Sequence, residues 1–135
     1  MDALFFLARG GDALGVTSSH DLPVDPAAAP LRLEDPSPLA GLAHVLDIER
    51  RARPLRDATC QSFPVWELGR DLTRRIAALG DAEIEDVAER WLKHDETSLD
   101  ADLFELTTCL ADLREAIRAA ERGESLFVLL EERAW

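Results

Sequence analysis

Residues 99–120, LDADLFELTTCLADLREAIRAA, carry the repeat that decides the fold. Within them Leu99, Leu103, Leu106, Leu110, Leu113, Ile117 and Ala120 recur at alternating steps of four and three. A helix places residues at those steps on one face, so the stretch predicts a long helix with an apolar stripe that must be buried. Phe104, Cys109, Ala111 and Ala116 widen the stripe beyond the narrow seam of a two-stranded coiled coil. A wide stripe suits the central helix of a monomer better than a homodimer seam. Asp100, Asp102 and Glu105 at the start of the stretch and Arg118 and Arg122 near its end complement the helix dipole. Thr97 with Asp100 has the form of a capping box, and Gly123 closes the helix.

Working outward, Leu126 to Leu130 is a short apolar run flanked by charge, which suits a buried strand. On the other side, Ile84, Val87, Ala88, Trp91 and Leu92 stand at helical steps behind Asp81 as the cap. Before them Val65, Leu68, Leu72, Ile76 and Leu79 predict a helix that starts near Pro64 and is closed by Gly80 in the left-handed conformation. So short a link between two amphipathic helices reads as a helical hairpin. A further helix is expected to start at Ser37-Pro38 and to bury Leu39, Leu42, Ala43 and Leu46, with Arg50 and Arg51 in its last turn and Pro54 barring extension.

The apolar run at residues 3–8 precedes Gly10-Gly11-Asp12 and a second apolar stretch from Ala13 to Val16. That pattern suits a strand ending at a glycine turn, opening into a hairpin; a short helix is the competing reading. Pro23, Pro26, Pro30, Pro36 and Pro38 make residues 18–38 an irregular connector. The expectation is one helix-dominated α+β domain over residues 1–135. It has about four helices, including the hairpin and the long central helix, and a small sheet if the two terminal runs pair.

The chain is 47% apolar and 31% charged, with a formal net charge of −12. That composition excludes disorder and opposes nucleic acid and anionic membranes as partners. The apolar opening is too short to span a bilayer, and an acid follows Met1 where a signal peptide carries positive charge, so a cytoplasmic location is expected. Two cysteines, Cys60 and Cys109, make neither a disulfide framework nor a zinc motif, and Cys109 is expected to be a reduced, partly buried thiol. His20, His44 and His94 are scattered, and no phosphate, dinucleotide, hydrolase or metalloprotease motif occurs. No catalytic residue, metal or cofactor is assigned.

Charge is unevenly distributed. Residues 50–75 hold seven arginines against three acids, a balance of +4, whereas residues 81–105 hold ten acids against Arg90 and Lys93, a balance of −8. The acidic segment is read as a surface for a basic partner, with Glu83, Glu85, Asp86, Glu89, Asp95 and Glu96 as contact residues. An interaction module of this kind has the character of an immunity protein, antitoxin or inhibitor. The alternative is a small-molecule or anion site, or an enzyme, where His44, Arg50, Arg53, Arg56 and Trp66 converge, since arginine forks suit phosphate and carboxylate. The bland reading is that both charged stretches are solvated faces and that Trp66 is a core anchor.

Overall fold

The computed structural model describes residues 1–9, 13, 16, 22, 24–49, 53–54 and 65–131. Both terminal apolar runs are strands, β1 (Asp2–Ala8) and β5 (Ser125–Glu131), and they pair antiparallel over their full length, from Asp2 opposite Glu131 to Ala8 opposite Ser125. They form the centre of a five-stranded antiparallel sheet with order β2-β1-β5-β4-β3. The outer strands are short: β2 (Leu31–Arg32), β3 (Arg53–Pro54) and β4 (Val65–Glu67). Pro54, which has no N–H for a ladder, sits in the outermost strand β3.

Four helices complete the described fold: α1 (Ser37–Val45), α2 (Arg70–Ala77), α3 (Asp81–His94) and α4 (Leu103–Ala119). The protein is a helix-dominated α+β fold. Among the described residues no helix is long and apolar enough to cross a membrane.

β1 and β5 read as unbroken apolar runs because both faces of the sheet are covered. Ala3, Phe5, Leu7, Leu126, Val128 and Leu130 face the helices and join the main core. Leu4, Phe6, Phe127, Leu129 and Val65 face the other way and are covered by Ala13, Val16 and Leu22. There the rings of Phe6 and Phe127 stack with centroids 5.8 Å apart. α4 lies at the middle of the helical layer, touching α2, α3 and β1, with Leu106, Leu110 and Leu113 fully buried. α2 and α3 follow one another across Ala78–Gly80, and each packs on α4. Thr73 ties α2 to the sheet: its hydroxyl donates to the Gly69 carbonyl and accepts from the Leu126 N–H.

The local readings need several corrections. The helix expected from Pro64 begins only at Arg70, because Gly69 at φ 87° breaks the chain between strand and helix. Val65 and Leu68 mimic helical spacing, yet they belong to opposite sides of the sheet. Gly80 is extended (φ −81°, ψ 167°) and serves as the N-cap of α3, with its N–H donating to Glu83 Oε1 at 3.3 Å. α1 starts at Ser37 behind Pro36 as the N-cap, and the Ser37 N–H donates to Asp35 Oδ1 at 2.8 Å.

α1 also stops earlier than expected, at Val45. Asp47 adopts φ 58° and donates its N–H to the His44 carbonyl, while the Ile48 N–H reaches the Ala43 carbonyl. That pair of bonds is a Schellman cap in which aspartate takes the place usually held by glycine. Asp102, accepting from the Glu105 N–H at 2.8 Å, caps α4 in place of Thr97. Leu99 therefore lies before the helix, bridged to Leu33. Leu103 is 43% and Phe104 76% exposed, so these two do not belong to the buried stripe. Among the described residues the sheet neighbours of β1 are β2 and β5, and the Ala13 N–H donates to the Arg9 carbonyl; the turn expected at Gly10-Gly11-Asp12 lies outside the described residues.

Candidate functional site

Three regions carry chemistry or exposed surface. The first lies where the C-terminal ends of α1 and α3 meet. His44, in the last turn of α1, and His94, the last residue of α3, bring their rings to a centroid distance of 4.9 Å. Asp95 is not on the surface as expected; it is buried, with its side chain over Gly41 of α1, where even a methyl group would overlap the carboxylate. His94 Nδ1 lies 3.2 Å from Asp95 Oδ2, but that oxygen is buried without an aligned hydrogen-bond donor among the described residues.

Burial pushes the Asp95 carboxyl above the ordinary carboxylate range, and Asp35 adds to the rise, while contacts with His94 and His44 act in the opposite direction. Asp35, on the surface nearby, behaves oppositely. Hydrogen bonds from the side chain and backbone of Ser37 and from the Ser98 hydroxyl hold its carboxyl below the usual range. Beside His44 a cavity of about 400 Å³ is lined by Asp47, Ile48 and Glu49. Among the described residues no three His, Cys, Asp or Glu side chains converge to hold a metal.

The arginine–tryptophan constellation is only partly visible. Arg50 and Arg56 lie outside the described residues. The backbone of Arg53 pairs with Glu67, and Pro54 with Trp66, so β3 and β4 carry two of the five residues as neighbours. Trp66 packs against the main core, with its indole Nε1 buried and without a hydrogen-bond partner among the described residues. His44 stands with His94 and Asp95.

The second region is the outer face of α3. Glu83, Glu85, Asp86 and Glu89 are exposed, opposite the buried Ile84, Val87, Ala88 and Trp91, and Glu96 is exposed just beyond the helix. Trp91 anchors the inner face by donating its indole N–H to the Pro38 carbonyl at 2.9 Å. Three of the acids have cationic neighbours: Glu83 with Arg75, Asp86 with Arg90 and Glu89 with Lys93. Arg75 and the Gly80 N–H also hold the Glu83 carboxyl below its ordinary range.

The third region lies at residues whose spacing predicts core. Leu103 and Phe104 emerge from the first turn of α4 beside a cavity of about 120 Å³ between that helix and residues 29–31. Its apolar lining includes Pro30, Leu31 and Cys109, and its acids are Glu105 and Asp112. Burial, helped by Asp112, pushes the Cys109 thiol up to about 12, so it stays protonated and offers no nucleophile.

No protein-family model, curated protein or solved structure matches the chain.

Proposed function

We propose that this protein is a binding module that docks a basic partner protein. The observation that carries the reading is the outward display of every acid between residues 81 and 105 except the buried Asp95, on elements whose inner sides are consumed by the core. Internal ion pairs blunt some of that charge, but Glu85, Glu96 and Glu105 have no cationic partner among the described residues. An acidic face on a chain of net charge −12 speeds association with cationic proteins and discriminates against acidic ones. The test is retention of proteins from native extract at low and high salt, by the parent and by a variant with Glu85, Asp86, Glu89 and Glu96 changed to glutamine. The expected result is a partner lost at high salt and not retained by the variant. Absence of any salt-sensitive partner overturns the reading.

A second reading is favoured by the cavity beside His44: a small-molecule site in which Asp47 and Glu49 select a polar or cationic ligand. Its mark would be a compound that raises the melting temperature of the parent but not of His44→Ala.

A further inference from the structure

The exposed end of α4 combines features that the fold does not need. An isolated surface phenylalanine is ordinary. Phe104, however, is 76% exposed next to Leu103 at 43%, and it forms one wall of an apolar cavity rather than projecting from a polar surface. The space, about 120 Å³, would hold roughly four waters or one aliphatic side chain. Its floor includes Leu31 and Cys109, both nearly inaccessible in the free protein, so a side chain entering there would meet core atoms.

The charged residues that line the cavity have one sign. Glu105 and Asp112 line it, and neither has a cationic partner among the described residues. They stand seven residues apart on α4, about 10 Å along the helix axis. An extended chain covers that distance in about three residues.

We infer that this groove takes an extended segment of a basic partner, with one aliphatic side chain entering beside Phe104 and Lys or Arg residues about three positions apart reaching Glu105 and Asp112. The inference rests on the proposed docking of a basic protein and adds its anchor point. Two other occupants fit less well. A second copy docked groove to groove about a two-fold axis would set Glu105 and Asp112 against their own copies, and like charges facing one another oppose association. Strand addition at β2 is blocked, because its outer edge is already used: the Asp100 N–H donates to the Arg32 carbonyl and Leu33 bridges to Leu99.

The experiment uses the full chain, isotope-labelled, and three fluorescent peptides of about ten residues. One has a leucine between lysines three positions apart, one replaces that leucine with serine, and one replaces the lysines with glutamate. Binding is read by anisotropy, and the footprint by amide shifts. The leucine–lysine peptide is expected to bind about tenfold tighter than the serine peptide and to move the amides of Ala29, Leu31 and residues 104–112. Phe104→Ser should abolish that tenfold advantage, while Glu85→Gln/Asp86→Gln/Glu89→Gln should retain it. Phe104→Ala is the companion variant, and circular dichroism confirms that both fold.

Equal binding of the leucine and serine peptides, an advantage that survives Phe104→Ser, or a footprint confined to α3 overturns the groove and leaves the acidic-face reading standing. Equal binding of the glutamate peptide, or no binding of either basic peptide at low salt, overturns both.

Discussion

The two ends of α4 are finished in opposite ways. At the C-terminal end Arg114, only 12% exposed in its side chain, donates to the Leu79 carbonyl at 3.1 Å and meets Asp81 at 2.8 Å. One turn further, Arg118 donates to the Ala77 carbonyl at 2.9 Å. Both carbonyls lie at the end of α2, where backbone acceptors lack intrahelical donors, so the arginines of one helix close the end of another. At the N-terminal end Asp102 caps the helix, but Leu103 and Phe104 face outward beside a groove. The apolar pattern is continuous along the helix, while its use is not. The closed end serves the fold, and the open end holds apolar surface that the fold leaves uncovered.

The largest test of that contrast changes equivalent leucines at the two ends. Leu113→Ala removes a fully buried side chain and is expected to cost about 3 kcal/mol, within the range for core truncations. Leu103→Ala, at a position 43% exposed, should cost under about 1 kcal/mol. Urea unfolding measures both. Similar losses would break the distinction between the ends. Arg114→Ala comes next, at about 2 kcal/mol, because it strips a charged donor from the Leu79 carbonyl and removes the contact with Asp81. A loss below about 0.5 kcal/mol would reduce the closed end to an ordinary exposed ion pair.

The sequence made the fold class legible because its strongest signals were long. The seam, the α3 face and the two terminal runs each have enough apolar positions to specify burial. What escaped was local. β4 is three residues long, too short for a period of two to show, and its Val65 falls by chance at a helical step from Leu68, just beyond the strand. Gly69, at φ 87°, was the available sign that strand and helix part there. Leu99 kept the seam's spacing while lying outside the helix, because Asp102 offered the better-placed cap. The candidate regions were less legible still. The meeting of His44, His94 and Asp95 joins residues from two helices, and no spacing along the chain encodes it. The dipeptide His94-Asp95 was visible, but that Asp95 turns inward over Gly41 follows only from the packing of α1 against α3.

That junction sharpens the contrast, because it leaves a polar group unsatisfied inside the fold. Asp95 has its carboxyl raised by burial, so the folded chain holds its proton more tightly than the unfolded chain does. Stability is then lost as pH rises from the ordinary carboxylate range through the raised value. Asp35 has the reverse shift: its contribution is present above the unfolded value and is lost as pH falls through the lowered one. Relative to the parent, Asp95→Asn should therefore gain in melting temperature as pH rises above about 4, whereas Asp35→Asn should melt lower than the parent at neutral pH and lose that deficit as pH falls below about 4. Shifts of the same sign for both variants would show that the cluster does not titrate as its geometry requires.

The smallest expected effect is the most discriminating. Phe104→Ser replaces a large apolar side chain in the first turn of α4, and a core position would lose several kcal/mol from such a change. At 76% exposure little of the ring is removed from water in the free protein, so the transfer free energy at stake is small. Serine also has no steric conflict in a first helical turn, and the Asp102–Glu105 cap that starts the helix is untouched. The expected change in unfolding free energy is within about 0.5 kcal/mol of zero, with the denaturant m-value unchanged because the same surface is exposed on unfolding. A loss of about 2 kcal/mol or more would mean that Phe104 covers the wall of the 120 Å³ cavity as part of the core, and the two ends of α4 would then differ in degree rather than in purpose. A stable, fully folded Phe104→Ser chain separates the residue's contribution to folding from its place in the groove.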